Sequence, residues 1–285
     1  MIESATCINS LQSEWEASLR LRFEQTATNK TILAQRLHKG PLVVQKALYP
    51  EGESICHAII LHPPGGVAGG DQLKVSVDVG TDAHVLLTTP GAGKWYKANG
   101  REAAQHLEFR IHKNAVLEWL PQESIVYDAA RVTWNARVEL AESARYAGWE
   151  IICLGRQAYG EQFRAGQLRQ NLQIYRSSQL IWGERANLKG GDKLLVSPVG
   201  LRGCPVSATF VVAAGATSPQ MLESCRAVLP ADDGRVGVTA LPEIFVGRYL
   251  GHSAQAARHY FEAIWAVLRP SYANVAAQRP RIWNT

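Results

Sequence analysis

Apolar and polar residues alternate one by one over long stretches of this chain. Every second residue of segment 17–24 is apolar, and the pattern returns in segments 73–79, 105–111 and 132–140. Such a segment has a single apolar face only when it is extended, because a helix would spread the apolar residues around its circumference. The sequence therefore predicts a chain built mainly of β-strands.

A second kind of segment is apolar without interruption, and its length and β-branched or aromatic content are typical of a strand buried on both faces. With 46% hydrophobic residues in a chain of 285, there is enough apolar material for a large core. A layered β architecture accommodates both kinds of strand. The uninterrupted segments are 55–61, 85–87, 150–154, 179–182, 210–214 and 244–246.

Helical spacing of apolar residues occurs near 218–229, where Ser218 is a possible N-cap, and over 253–268, which we expect to end at Leu268, before Arg269 and Pro270. We expect an N-terminal extension over 1–14, one β domain over 15–270 that includes both helices, and a tail over 271–285. Trp283 in this tail either binds a partner or packs into the core.

Composition and motifs exclude several classes of protein. No segment approaches the roughly 18 to 20 apolar residues of a membrane span, and no signal peptide is recognisable, so we expect a cytoplasmic protein with no membrane contact. The net charge of +5 is spread along the chain, which argues against nucleic acid as a partner. Five scattered cysteines predict reduced thiols, and no serine, cysteine or zinc catalytic motif is present.

Several motifs, taken in order, cover nearly the whole chain. They are LHPPGGVAGGDQL at 61–73, LLTTPGAGKWYK at 86–97, LEWLPQESIVYD at 117–128, WEIICLGRQAYGEQF at 149–163, WGER at 182–185, WAVLRP at 265–270 and PRIW at 280–283. In content and spacing they resemble the UreD (UreH) family of urease accessory proteins. The combination is specific, although any single motif is weak.

The resemblance implies a mainly β fold, a right-handed helical stack of strands with a small pair of α-helices. It implies a non-enzymatic chaperone for nickel insertion into urease, acting as scaffold and metallochaperone. The implied partners are UreF, through it the GTPase UreG, and apo-urease. Nickel(II) is implied only as a transient passenger, with no tightly bound cofactor.

Two carboxylates lie in segments that the pattern predicts to be buried. Glu150 follows Trp149 inside an apolar run, and Glu184 lies at the end of a short apolar run. An ionised carboxylate in such surroundings costs several kcal/mol unless it is paired or lines water. These positions predict either an internal polar channel or buried ion pairs. The same question applies to Asp71, which follows two glycines and is alternatively a turn cap.

The resemblance assigns further roles to particular residues. Asp71, Glu150 and Glu184 match family acids proposed to line a nickel passage, with His62 as a weaker addition. Lys94, Trp95 and Tyr96 on a glycine-rich loop are candidate partner contacts, since Trp and Tyr are favoured anchors. The resemblance also points to the C-terminal region for partner binding, where Tyr260, Phe261 and Trp283 are candidate contacts. The apolar stripe of the helix at 253–268 is alternatively part of the core.

Two rival functions come from other classes. One is a β-helix-like carbohydrate-active enzyme that uses Asp71, Glu150 and Glu184 as general acid and base. The other is a carbohydrate-binding or interaction module built on exposed tryptophans. A closed pocket with paired carboxylates would favour the enzyme, a row of exposed aromatic rings the binding module, and a through-going channel the chaperone.

Overall fold

The computed structural model describes residues 15–284, which contain seventeen β-strands and three α-helices. The first ten strands are β1 (Glu16–Gln25), β2 (Thr31–Lys39), β3 (Val43–Val44), β4 (Ile55–Leu61), β5 (Gln72–Val79), β6 (His84–Thr88), β7 (Gly93–Trp95), β8 (Ala103–Ile111), β9 (Val116–Trp119) and β10 (Ser124–Val126). The remaining strands are β11 (Arg131–Leu140), β12 (Arg145–Leu154), β13 (Gln167–Arg176), β14 (Gln179–Lys189), β15 (Val206–Ala213), β16 (Arg235–Ala240) and β17 (Phe245–Gly251). The helices are α1 (Lys193–Val196), α2 (Pro219–Arg226) and α3 (Ala254–Ala273), and short 3-10 helices span Gln157–Tyr159 and Arg281–Asn284.

The chain winds back and forth between two sheets as a β-solenoid of about four turns. Strands β1, β5, β8, β11 and β13 pair in parallel in the first sheet. Strands β4, β6, β9 and β12 do so in the second. Antiparallel strands finish both sheets, with β2 and β14 at the edges of the first and β15, β17 and β16 extending the second. The helical stack implied by the resemblance is confirmed.

The alternating segments form the first sheet, and their apolar residues stack inside the solenoid. Leu21, Val77, Phe109, Val138 and Ile174 are register partners on successive parallel strands and form one buried row. The intervening polar residues face outward. Alternation of apolar and polar residues therefore indicates a strand with one solvated face, as predicted.

The central strands of the second sheet are buried on both faces, which explains their uninterrupted apolar residues. One face lines the solenoid interior and the other is covered by α2 and α3. The prediction of two-sided burial is confirmed for segments 55–61, 85–87, 150–154, 210–214 and 244–246. It is wrong for 179–182, because β14 is an edge strand and Leu180 is 49% exposed.

Both predicted helices are present, with different ends. Helix α2 stops at Arg226, and α3 continues through Pro270 to Ala273. Arg269 and Tyr272, on either side of the proline, both bond to a buried glutamate on β9, and this anchors the last turn. Within residues 15–284, no helix combines the length and the apolar character needed to cross a membrane.

The C-terminal segment packs onto the domain. Trp283 is buried, its ring centroid lies 5.5 Å from that of Trp149 and 6.2 Å from that of Trp265, and its Nε1 donates a 2.7 Å hydrogen bond to Thr88 Oγ1. Of the two alternatives for Trp283, the structure shows core packing. The predicted extension 1–14 and residue 285 lie outside the described residues.

The start of α3 offers a test of its capping. Ser253 Oγ accepts a 3.1 Å hydrogen bond from the Ala256 backbone N–H. Ser253→Ala removes this bond, so the free energy of unfolding should fall by about 1 kcal/mol in urea denaturation. Ser253→Thr keeps an acceptor and should lose much less. Equal losses for the two variants would contradict the capping role.

Candidate functional site: an internal polar passage

Two cavities lie between the sheets of the solenoid. The larger, of about 340 Å³, lies beneath the glycine-rich segments 62–67 and 89–94. The smaller, of about 40 Å³, is bounded by residues of β13, β14 and β15. Because they share lining residues, the cavities meet inside the solenoid. The shared residues are Gln105, Leu107, Trp119 and Glu150.

Glu150 lies where the two cavities meet. Its neighbours on β12, Trp149 and Ile151, pack toward the helices, so Glu150 points into the solenoid. Desolvation raises the pKa of its carboxyl to about 7, and the hydrogen bond that Ser124 Oγ donates to Oε1, at 3.1 Å, acts in the opposite direction. Both cavities border this side chain, so its carboxyl can gain or lose a proton near neutral pH.

Glu184 lines the smaller cavity from the middle of β14. Its Oε1 accepts hydrogen bonds from Thr209 Oγ1, at 3.3 Å, and from Arg248 Nη1. Its other oxygen, Oε2, is buried and has no hydrogen-bond partner among the described residues. Since Thr209 is also the register partner of Glu150 across β12 and β15, the two carboxylates flank one threonine.

Other buried polar atoms along the cavities also have no hydrogen-bond partner within residues 15–284. They are Trp134 Nε1 and Asn171 Oδ1 beside the smaller cavity and Gln122 Nε2 beside the larger one. Buried polar groups are nearly always satisfied by protein or water. These unpaired atoms give the cavities polar positions despite their aromatic walls.

The structure places the other predicted acid outside the passage. His62 lines the larger cavity, where burial lowers the pKa of its imidazole and the charge of Asp71 partly opposes this. Asp71 lines neither cavity, and its Oδ2 accepts a 2.8 Å hydrogen bond from the Ala68 backbone N–H, as a turn cap does. His62 thus lines the larger cavity, Glu184 the smaller, and Glu150 both. Among residues 15–284, no group of three His, Cys, Asp or Glu side chains is arranged so that it could hold a metal ion.

The predicted partner contacts divide into exposed and buried side chains. Lys94 is exposed beside the larger cavity, and Tyr96 is 37% exposed with its ring against Tyr127. Trp95 is buried against Trp134. The three other predicted contacts lie on α3 and in the C-terminal segment. Their side chains are buried against the second sheet, so a partner at the surface does not reach them. These buried side chains are Tyr260, Phe261 and Trp283.

The sequence analysis missed a fully buried ionic network beneath α3. Glu118 on β9 accepts hydrogen bonds from Arg269, Tyr272, Trp265 and His84. Arg269 also binds Glu51. Glu118 is a single carboxylate inside the apolar run 116–120, just as Glu150 is a single carboxylate beside an apolar run. The pattern that singled out Glu150 could therefore also have identified Glu118. The network joins the C-terminal helix to the solenoid.

Comparison with known proteins identifies the family. The model of the family described as UreD urease accessory protein matches residues 16–284. This chain belongs to the UreD family. The resemblance drawn from the motifs is confirmed.

Relatives named "Urease accessory protein UreD" match over nearly their full length. The one from Methylobacillus flagellatus is 51% identical over 271 residues, which cover 95% of each chain. The one from Dechloromonas aromatica is 48% identical over 274 residues, again 95% of each. A relative from Azoarcus sp. is 45% identical over 284 residues, 100% of this chain and 99% of its own length.

Proposed function

We propose that this UreD chain is a cytoplasmic, non-enzymatic maturation factor for urease, and that its internal passage conducts nickel(II) to the enzyme. In this proposal the chain works in a complex with UreF and, through UreF, the GTPase UreG, docked on apo-urease. The names of its relatives support a role in urease maturation. The observation that carries the passage is the pair of cavities that meet at Glu150.

The donor set suits transfer of nickel(II) better than its retention. Nickel(II) is a borderline cation that accepts imidazole and carboxylate donors. His62 lines only the larger cavity, Glu150 lines both, and Glu184 lines only the smaller. An ion moving along the passage meets these donors in succession, so each step replaces one weak contact with another.

The rival functions have less support. A sugar-binding module requires exposed aromatic rings, but six tryptophans are buried, and Trp15 is the one tryptophan of residues 15–284 with more than half its surface exposed. The buried ones are Trp95, Trp119, Trp134, Trp149, Trp265 and Trp283. For the enzyme, Glu150 and Glu184 remain as an acid and base pair, but Asp71 lies outside the cavities.

Urease activity in cells tests the proposed function. Cells express apo-urease and its other accessory proteins with this chain absent, unchanged or carrying Glu184→Gln. We expect no activation without the chain and about tenfold less with Glu184→Gln, as is typical when a polar group at a metal site is removed. Glu243→Gln is the matched control, because Glu243 also pairs with an arginine, Arg176, but lines neither cavity.

The outcomes separate the scaffold from the passage. A pull-down of UreF and apo-urease with the Glu184→Gln chain checks that the complex still forms. Normal activity with Glu184→Gln would remove Glu184 from the passage and leave the scaffold. Full activation without the chain would overturn the proposed function.

A further inference from the structure

One carboxylate of the smaller cavity belongs to an ion pair that joins the two sheets. Glu184 extends from β14, the last strand of the first sheet, and Arg248 extends from β17 in the second. Arg248 Nη1 donates hydrogen bonds to Glu184 Oε1 and, at 2.7 Å, to Thr209 Oγ1. Both acceptor residues line the smaller cavity, whereas Arg248 lines neither cavity. The guanidinium group therefore caps these two residues from outside the cavity.

The strand register directs Arg248 toward the solenoid side of the second sheet. Glu150, Thr209 and Arg248 are register partners across β12, β15 and β17, so their side chains lie on one face. Gly247 and Tyr249, on either side of Arg248, belong to the face that the helices cover. Arg248 thus continues the row of polar side chains that begins with Glu150 in the passage.

The Arg248 side chain lies nearer to solvent than the carboxylate that it binds. It is 48% exposed, whereas the side chain of Glu184 is 16% exposed. Ion pairs with one exposed partner are weak and are readily exchanged. Glu184 Oε2 is buried and has no hydrogen-bond partner within residues 15–284, so this second oxygen is available to a cation in the smaller cavity.

Arg248 also has space into which it can move. Its register partner on β16 is Gly237. Apart from the chain neighbours of Gly237, no atom of the described residues lies within 4 Å of a Cβ built there. Register partners share a face, so this open space lies beside the Arg248 side chain, which has several rotatable bonds.

We propose that Arg248 is a displaceable counter-ion for Glu184. It balances the charge of the carboxylate while the smaller cavity holds no metal ion, and a divalent cation that reaches Glu184 displaces it toward Gly237. The cation and the guanidinium compete, because both are positive and share one carboxylate. The proposal rests on the proposed function, since nickel(II) is the cation expected in the passage.

This competition keeps nickel(II) weakly bound at Glu184. Because linkage is reciprocal, pairing with Arg248 lowers the affinity for the cation by the same factor by which the cation weakens the pair. When the cation leaves, Arg248 binds Glu184 again, and the partly buried carboxylate is not left as an unpaired charge. A counter-ion of this kind therefore favours release over retention.

Titration of the full-length chain with nickel(II) tests the competition, with quenching of tryptophan fluorescence as the signal. Trp119 and Trp134 line the same cavity as Glu184. Arg248→Gln removes the competing charge, so we expect nickel(II) to bind about fivefold more tightly, the factor that corresponds to the loss of one such ion pair. If Arg248 only supported the local structure, its removal would weaken binding, so the direction of the change distinguishes the two roles.

Three further variants control this result. Arg248→Lys keeps the positive charge and should bind nickel(II) like the unchanged chain. Arg169→Gln is the matched control and should also leave the affinity unchanged, because Arg169 is 49% exposed and pairs with Glu102 but lines neither cavity. In a chain that already carries Glu184→Gln, Arg248→Gln should have no effect, since the shared carboxylate is gone.

Gly237→Leu tests the space beside Arg248 by an independent route. A leucine there occupies the space that the displaced side chain would enter, so Arg248 should remain paired with Glu184 and nickel(II) should bind more weakly. The substitution is at an exposed strand position, and its Cβ meets no atom of the described residues other than those of its chain neighbours. The fold should therefore be preserved.

The outcomes separate this proposal from the proposed function. A folded Arg248→Gln chain with unchanged or lower nickel(II) affinity would overturn the counter-ion and leave the passage in place. If nickel(II) binds neither the unchanged chain nor Arg248→Gln, nickel conduction fails, and the counter-ion fails with it. Urea denaturation checks folding. Should Arg248→Gln not fold, Gly237→Leu decides, because an affinity equal to that of the unchanged chain would overturn the displacement.

Discussion

Arg269→Met is expected to reduce the free energy of unfolding by about 3 to 5 kcal/mol, the usual effect of leaving a buried charge without its partner. The side chains of Arg269 and Glu118 are both fully buried. The guanidinium donates to both Glu118 oxygens, at 3.1 Å, 3.2 Å and 2.8 Å, and its Nη2 reaches Glu51 at 2.9 Å. Methionine fills much of the volume but leaves two carboxylates without this cation.

The pKa of Glu118 shows how the network is balanced. Burial alone would raise it, but the hydrogen bond and charge of His84, together with Arg269, outweigh burial and hold the pKa below its ordinary value of 4.5. A carboxyl with a lowered pKa stabilises the fold above its ordinary pKa, and this stabilisation is lost as the pH falls through the folded-state pKa. In Arg269→Met part of this acid-sensitive stabilisation should be missing.

Urea denaturation of the full chain measures the effect. Arg279→Met is the control, because Arg279 also pairs with a glutamate, Glu262, but its side chain is 35% exposed, so its loss should be no more than about 1 kcal/mol. The double variant Glu118→Gln/Arg269→Met should recover part of the stability. Equal small losses for both arginine variants would contradict the assigned role of the network.

Glu118 and Glu150 show how much of the site the sequence determines. Both are single carboxylates in apolar strands of the second sheet, so the pattern predicts that each is buried and either paired or lining water. The register sends Glu118 toward α3 and Glu150 into the solenoid. The sequence pattern does not distinguish these faces, because the partner of Glu118 is Arg269, 151 residues away.

The helix α3 shows where a sequence pattern was not sufficient. Its apolar stripe left open whether Tyr260 and Phe261 are core or interface, because both roles need an apolar helix face. The structure buries both side chains, and Phe261 packs on Trp149 and Phe210. Sequence patterns do not predict the cavities, because these form where the stacked turns of the solenoid leave space.

Glu150→Gln is expected to weaken cation binding in the passage about 100-fold while stabilising the fold. Nickel(II) binds the carboxylate form, so its affinity should rise as the pH increases through about 7 in the unchanged chain and be about 100-fold lower in the variant. Trp119 and Trp134 line the same cavity, so quenching of tryptophan fluorescence by added nickel(II) measures the binding. Ser124→Ala removes the hydrogen bond that lowers the pKa of Glu150, so it should move the pH profile to higher pH.

Stability should change in the opposite direction. Because the pKa of Glu150 is raised, the folded state favours the protonated carboxyl, and ionisation destabilises it increasingly between pH 4.5 and about 7. Above this range Glu150→Gln should increase the free energy of unfolding by up to about 3 kcal/mol, and below it by almost nothing. This loss of stability on ionisation is what we expect of a carboxylate that must be ionised to bind a cation. Unchanged nickel quenching in a fully folded Glu150→Gln chain would remove Glu150 from the passage.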